Sequence, residues 1–356
     1  MKHQKEFLSK SMDRIFLSTE KLGFWDDKNS RIHSRLDCTK DWEWEVNPDP
    51  SDRYGVFTIS LILLAKFQHG LDISAYEAKI TAYLNYIKGE ILSYEKSNIT
   101  YGAFNALVLG QLLFENQGYD FKKEIQASYQ LLKNQISVIS NNEDSLALIG
   151  LSLYYKHINN DKEVLKYIER LVESLLGSQN TKGFFLTGDI RGVYHQRTMY
   201  TLWGLAFASD ITHKKEIKLA IEKSIQHVWD FRRDGKDNAF LWHPLVYNSR
   251  KKSKIPLPIL SPVSVNYLFE CHQTFFANAV SFYQYFYKTE KFSDYRYKAL
   301  DWIFGENRMK TNLVEITKID IPARIMSRKG ELFIKNNYFK GSYEVGSYIF
   351  ALAVKD

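Results

Sequence analysis

The stretch TMYTLWGLAFAS, from Thr198 to Ser209, contains no Asp, Glu, Lys or Arg. Five further stretches share this property: Val56–Ala65, Gly102–Phe114, Ser145–Tyr155, Gln273–Tyr287 and Val345–Val354. A helix that is apolar on every face has to be buried on every face. These six stretches therefore predict six inner helices around one shared core.

Amphipathic segments alternate with these apolar stretches along the chain. In Asp161–Gly177, the apolar residues recur at helical spacing and Lys and Glu fill the opposite face. Lys214–Phe231 and Ala75–Leu92 repeat the pattern, and it recurs less cleanly near 3–22, 121–138 and 293–304. We predict six outer helices that pack one apolar stripe on the inner ring. Strand patterns are scarce, and the best candidate is a short hairpin at Gly330–Lys335.

Six outer-then-inner pairs resemble the (α/α)6 toroid of glycosidases, polysaccharide lyases, sugar 2-epimerases, terpene cyclases and lanthionine cyclases. Two parts of the chain carry the resemblance in detail: GSQNTKGFFLTGD followed by YHQRTMYTLWGLAFA, and ALDWIFGENRMKTNLVEI followed by FKGSYEVGSYIFALA. The resemblance implies an all-α toroid of six inner and six outer helices, without indicating a specific family. Because no linker divides the sequence, we expect residues 1–356 to form a single domain.

Composition narrows the class of protein. The net charge is +7, but the charges are interspersed, so we expect no nucleic-acid partner. Two cysteines, Cys38 and Cys271, fit a reducing compartment. We predict a soluble, cytoplasmic protein, because no secretion signal and no apolar run of about 20 residues is present. Aromatic residues make up 15% of the chain, enough either to line a cleft or to fill a helical core.

The resemblance implies a catalytic cleft at the end of the ring where the inner helices begin. Free N–H groups at those starts also favour a bound anion or a carboxylate. The candidate catalytic residues there are Asp144, Tyr194, His195, Arg197 and Glu344. The candidate substrate-binding residues at helix starts are Tyr54, Tyr101, Asp189, Arg191, Glu270, His272 and Tyr343; long loops add Trp42, Trp44, Trp242, His243 and Arg308. The alternation WEWE around Trp42 and Trp44 is equally typical of a short strand.

Two chemistries suit these residues, and we predict lyase or epimerase chemistry first, with glycoside hydrolysis as the alternative. Lyase or epimerase chemistry on a uronic acid needs a group that neutralises the carboxylate, such as Arg197, and a proton exchanger, such as Tyr194 or His195. Glycoside hydrolysis needs two carboxylates about 5–9.5 Å apart, and acidic residues open several inner helices. A toroid that binds a glycan or a protein without turnover is the third alternative. The expected partner is an oligosaccharide or polysaccharide. We expect it to be acidic, because the positive field of the protein favours an anionic substrate.

Metal and cofactor motifs are weak. The pair Cys271–His272 is similar to the zinc-binding pair of lanthionine cyclases, but the only other cysteine is the distant Cys38, and three or four ligands are needed. The Asp-rich motif of class II terpene cyclases is missing, as are nucleotide-binding glycine loops. We therefore predict no metal and no cofactor.

Overall fold

The computed structural model describes residues 2–38, 43–47, 52–181, 183–185, 195–234, 239–240, 270–323, 325–328, 331–334 and 338–354. Within these ranges the chain forms twelve α-helices. The outer helices are α1 (Lys2–Phe16), α3 (Glu77–Glu90), α5 (Lys122–Gln135), α7 (Lys162–Ser178), α9 (Lys215–Arg232) and α11 (Ser293–Ile303). The inner helices are α2 (Arg53–His69), α4 (Ser97–Phe114), α6 (Ala147–His157), α8 (His195–Thr212), α10 (Cys271–Tyr287) and α12 (Ser342–Ala353). The six predicted outer–inner pairs are confirmed in order and nearly in bounds.

The inner helices form a closed ring. Each packs against the next, from α2 to α4, α6, α8, α10 and α12, and α12 returns to α2. Hydrogen bonds also join neighbours in the ring: Trp203 Nε1 donates to the Phe275 carbonyl oxygen at 3.0 Å, and Asn278 Nδ2 donates to the Ser347 carbonyl oxygen at 3.0 Å. The fold therefore depends on contacts between the first and the last thirds of the chain.

Glycine permits the closest approach between neighbouring inner helices. A Cβ atom at Gly204 would lie 2.1 Å from the carbonyl oxygen of Ser145. At Gly150 it would lie 2.2 Å from Oδ1 of Asn105, the atom that accepts a hydrogen bond from the Gly150 N–H. Both contacts lie between helices, so the cost of glycine inside a helix is offset by tight packing.

Aromatic side chains fill the middle of the ring. Phe57 of α2 and Trp203 of α8 belong to opposite inner helices, yet their rings stack with centroids 6.2 Å apart. Phe275, Phe282 and Phe207 extend the cluster along the ring axis. Much of the aromatic excess in the sequence is therefore core, as one of the two interpretations held.

The outer helices show the predicted amphipathic packing. Helix α7 buries Val164, Ile168, Leu171 and Leu175 and leaves its lysines and glutamates toward solvent. Asp161 precedes it and accepts a hydrogen bond from the Glu163 N–H at 2.8 Å, which satisfies one of the free donors at the helix start. None of the helices that the structure describes has the length and apolarity needed to cross a membrane.

Short strands are more numerous than the sequence predicted. The described residues form β1 (Trp25–Asp26), β2 (Arg31–Ile32), β3 (Arg35–Cys38), β4 (Trp44–Asn47), β5 (Arg233–Asp234), β6 (Ala239–Phe240), β7 (Ile325–Arg328), β8 (Glu331–Ile334) and β9 (Tyr338–Gly341). The predicted hairpin is β7–β8, shifted toward the N-terminus of its predicted range. A second sheet has the antiparallel order β4–β3–β9 and joins the first loop of the chain to the start of α12.

Candidate functional site

The inner helices begin at one end of the ring, which we call the mouth. Three contacts across it show that these helix starts converge. Arg53 in the first turn of α2 forms an ion pair with Glu143, which precedes α6. Ser97 at the start of α4 donates a hydrogen bond to the Asp144 carboxylate at 2.9 Å. The rings of Tyr54 and Tyr343, from the starts of α2 and α12, have centroids 4.5 Å apart.

Two adjacent carboxylates lie in a 3-10 turn, Asn142–Leu146, that leads into α6. Asn141 opens this turn by accepting a hydrogen bond from the Glu143 N–H at 3.2 Å. Negative charge is stabilised near a helix N-terminus, so the local fold favours both acids. The Glu143 side chain is 18% exposed and its partner Arg53 36%, whereas Asp144 is buried. Burial opposes the charge on Arg53, but the Glu143 carboxylate and the phenols of Tyr101 and Tyr54 together outweigh it and raise the pKa of the guanidinium.

Two tyrosines with perturbed phenols also lie at the mouth. Tyr101 is buried, and burial followed by the Glu143 carboxylate raises the pKa of its phenol well above the ordinary value. Burial, followed by Glu344, has the same effect on the pKa of Tyr343. Tyr343 also stacks on Phe275 with centroids 6.1 Å apart. These two phenols are therefore neutral at pH 7 and suited to donate hydrogen bonds, not to abstract protons.

A buried ionic triad lies at the starts of α10 and α12. The Lys340 ammonium contacts the carboxylates of Glu270 and Glu344, the latter at 2.9 Å, and all three side chains are at most 1% exposed. Ligand atoms of Glu270, Cys271 and Glu344 lie within 4.8 Å of one another, so among the described residues this group has the spacing to hold a cation. Because the lysine ammonium lies between the two carboxylates, it already supplies the positive charge there.

A second ionic network fixes the start of α2. Asp52 accepts hydrogen bonds from Arg31 at 3.1 Å, Tyr86 at 2.9 Å and Tyr94 at 3.1 Å. Arg31 also contacts Asp26 at 3.4 Å. These bonds place the residue that precedes Arg53 firmly against β2 and α3, so the network positions one side of the mouth.

The structure brings several predicted residues to the mouth. Asp144, Tyr54, Tyr101 and Tyr343 lie there. Glu270 and Glu344 are close by but fully buried in the triad, so they do not line open space in this structure. His272 in the first turn of α10 is also buried, 6.0 Å from the Phe275 ring.

Other predicted residues lie elsewhere or beyond the described ranges. Trp44 is buried in β4, and its Nε1 donates to the Thr317 carbonyl oxygen at 3.2 Å, as expected of the strand alternative. Arg308 is half-buried in the segment after α11. His195 and Arg197 occupy the first turn of α8, but their side chains fall outside what the structure describes. The remaining candidates lie outside the described residues: Trp42, Asp189, Arg191, Tyr194, Trp242 and His243.

One residue at the mouth, Tyr200, was not among the sequence candidates. Tyr200 packs against Phe57 and Phe275 with centroids 5.9 and 5.2 Å away. It lies one turn inside an apolar helix, where a tyrosine is indistinguishable from core. Arg53 and Lys340 stand beside helix starts in the sequence, where polar residues are expected to converge, and the structure brings both to the mouth.

Known structures with the same architecture cover almost the whole chain. An unsaturated glucuronyl hydrolase specific for heparin superposes with a TM-score of 0.64 at 11% identity, over 98% of this chain and 96% of that one. An unsaturated glucuronyl hydrolase from Streptococcus agalactiae gives 0.63 at 10% identity, over 98% and 90%. An α-1,6-mannanase from a Salegentibacter species gives 0.59 at 8% identity, over 98% of each chain.

The chain is an (α/α)6 toroid. The similarity in backbone extends over nearly all of each molecule, and the ring of six inner and six outer helices is common to them. No protein-family model and no curated protein matches the sequence. At about one identical residue in ten, the toroid comparison establishes the fold alone.

Proposed function

We propose that this protein is a carbohydrate-active enzyme that hydrolyses a glycosidic bond at the mouth of the toroid. The observation that carries the proposal is the adjacent pair Glu143 and Asp144, placed at a helix start among tyrosines. Glycoside hydrolysis uses one carboxyl group as an acid and a second as a base or nucleophile. We assign the ion-paired Glu143 as base or nucleophile and the buried Asp144 as acid. Asp189 is the reserve candidate for either role.

The structural neighbours support this class of reaction. The glucuronyl hydrolases and the mannanase are all named as enzymes that act on glycans. A mannanase variant with two consecutive aspartates replaced is described as inactive and was solved with α-1,6-mannotetrose. This chain also carries two consecutive acids, Glu143 and Asp144. Their position in the turn that leads into α6, at the mouth, is consistent with a catalytic role in this protein.

The proposed substrate is an oligosaccharide or polysaccharide. One neighbour was solved with a sulfated disaccharide that contains an unsaturated uronic acid, and another with a neutral mannan fragment. The net charge of +7 favours an acidic chain by long-range attraction. Tyr54 and Tyr343, both partly exposed, provide aromatic faces on which sugar rings can pack.

Lyase or epimerase chemistry is the second candidate. It is favoured by the position of His195 and Arg197, which open α8 at the same end of the ring as Glu143. The raised pKa values of Tyr101 and Tyr343 make those phenols poor bases, so the proton would pass to Tyr194 or His195. A toroid that only binds glycans is the third candidate, and it predicts no product at all.

One assay separates these candidates. The protein is incubated with a panel of neutral and acidic oligosaccharides, and products are followed by reducing ends and by ultraviolet absorbance. Hydrolysis releases reducing ends without new absorbance, whereas elimination creates an absorbing double bond. We expect Glu143→Gln and Asp144→Asn to lower kcat by about 10²–10⁴-fold, the usual contribution of an acid or base. Glu163→Gln, at an exposed carboxylate of α7, is the matched control and should keep full activity.

Two results would contradict the hydrolase assignment. New ultraviolet absorbance that disappears in His195→Ala supports elimination instead. Binding without turnover, unchanged in both carboxylate variants, supports the non-catalytic alternative.

A further inference from the structure

The end of the ring opposite the mouth carries a second recess, with a volume of about 260 Å³. It lies where four inner helices end: α2, α6, α8 and α10. Its lining includes Phe67, Gln68, Ser152, Lys156, Asp210 and Tyr285. A recess of this size accommodates about eight water molecules at roughly 30 Å³ each.

The recess is separate from the mouth. Helix α2 has 17 residues, so its two ends lie about 25 Å apart at 1.5 Å per residue. Between the two ends, Phe57, Trp203 and Phe282 are packed against one another along the ring axis. A ligand in the recess therefore makes no contact with Glu143 or Asp144.

The recess is lined by two ammonium groups and one carboxylate. The Lys156 ammonium lies 2.7 Å from the Asp210 carboxylate, and the Lys288 ammonium is stacked 4.4 Å from the centroid of the Tyr285 ring. Burial, followed by Lys156, lowers the pKa of His157, so this ring is neutral at pH 7. Lys288 is exposed to solvent, so its charge is hydrated, and the recess offers polar groups without demanding an ionic ligand.

Unsatisfied polar atoms lie beside aromatic rings. Ser152 is 3% exposed, and its hydroxyl has no hydrogen-bond partner in the part of the chain that the structure describes. The same holds for Oε1 of Gln68. Buried polar atoms of this kind can pair with a bound water or with a ligand. Phe67, Phe207 and Phe286 supply apolar walls next to them.

We propose that this recess is a second binding site, for a neutral, hydroxyl-rich molecule the size of one monosaccharide. The hydroxyls of the ligand would pair with Ser152, Gln68 and the Lys156–Asp210 pair, and its C–H face would pack on the phenyl rings. Because the site lies at the other end of the ring, it does not depend on the chemistry proposed for the mouth.

The test follows the methyl groups of Leu153 and Ile211, which line the recess, by NMR of the full-length protein. Glucose, galactose and mannose are added separately, with sodium phosphate as the anionic probe. We expect saturable shifts of these methyls with a sugar and none with phosphate. Ser152→Leu, which fills the recess, should abolish the shifts, and Ser152→Ala should weaken binding about three- to tenfold. Glu143→Gln, at the mouth, should leave sugar binding in the recess unchanged.

Several outcomes would overturn this proposal without touching the hydrolase assignment. They are linear, unsaturable shifts up to the solubility of each sugar, stronger shifts with phosphate, and sugar-induced shifts that persist in Ser152→Leu. If Ser152→Leu fails to fold, Gln68→Leu replaces it, and undiminished sugar binding in that variant has the same meaning. Loss of glycan hydrolysis in Glu143→Gln with retained sugar binding in the recess would confirm two independent sites.

Discussion

Lys340 contacts two carboxylates. Among the described lysines and arginines that do so, it is the most deeply buried. Its side chain is 1% exposed, and its partners Glu270 and Glu344 belong to the starts of two neighbouring inner helices. Removing one partner of a buried ion pair leaves an uncompensated charge in the core. The triad therefore joins the starts of α10 and α12.

We predict that Lys340→Met lowers the free energy of unfolding by about 3–5 kcal/mol, the usual cost of leaving buried charges unpaired. Lys291→Met is the matched control, because Lys291 pairs with Glu222 at 2.7 Å but is 49% exposed. That control should cost less than about 1 kcal/mol. Denaturant titrations measure both values. Equal losses in the two variants would mean that the triad contributes no more than a surface pair.

His33 makes stability depend on pH. It lies beside Asp26 and Arg31, and burial lowers the pKa of its imidazole despite the opposing effect of Asp26. The folded protein therefore binds the proton less readily than the unfolded chain, whose histidines titrate near 6.5. The stabilisation from neutral His33 is present above that pH and is lost as the pH falls through the folded pKa.

Accordingly, we expect the free energy of unfolding to decrease between pH 7 and pH 5, with a smaller slope in His33→Gln. His213→Asn is the control, since His213 is exposed at a left-handed position (φ 52°) that asparagine tolerates. Denaturation midpoints at several pH values give the slopes. An unchanged slope in His33→Gln would show that another group causes the acid sensitivity.

Packing between helices is most restrictive where α8 crosses the turn that precedes α6. A Cβ atom at Gly204 would lie 2.1 Å from the Ser145 carbonyl oxygen, and that backbone atom cannot move without shifting the helix. A Cβ atom at Gly177, near the end of α7, would meet nothing within 4 Å. The same substitution therefore has opposite consequences at two helical glycines.

We predict that Gly204→Ala destabilises the protein by about 1–3 kcal/mol, the range for an overpacked core. Gly177→Ala should instead stabilise it by up to about 1 kcal/mol, because alanine is the better helix former. Thermal unfolding of the two variants against the parent measures the difference in sign. Similar melting temperatures in both variants would show that α8 shifts freely at this contact.

Sequence patterns predicted the helices well and the strands poorly, for different reasons. A buried helix such as α8 can be predicted from a local stretch of sequence without charged residues. Strand β3 has four residues, and one of its two partners, β9, comes from the far end of the chain, so no local window contains the whole sheet. At the mouth, helix starts selected Asp144 and Tyr343, but Tyr200 was missed because it lies inside an apolar run. Glu344 lies four residues after Lys340, but the second partner, Glu270, could not be read from the sequence because it is distant along the chain.

Closure of the ring depends on α12. This helix packs between α2 and α10, contributes Tyr343 to the mouth, and continues directly from β9. Without it, the apolar faces of α2 and α10 would be open to water. The whole molecule therefore has a single point at which the first and last inner helices have to meet.

We predict that a chain ending at Gly341, which lacks α12, loses cooperative unfolding and binds a hydrophobic dye such as ANS. A chain ending at Val354, which keeps all of α12 and removes only Lys355 and Asp356, should unfold as the parent does. Circular dichroism and dye fluorescence measure both. A cooperative transition in the shorter chain would show that the ring tolerates an open side.

The stacked rings of Phe57 and Trp203 also determine how a ligand can enter and leave the ring. They close the centre of the ring, so the mouth leads into a cavity with a closed base and not into an open channel. A molecule that enters this cavity has to leave through the same opening, so entry and release compete for one route. A polymer that is longer than the cavity is deep has to insert one chain end or lie across the opening.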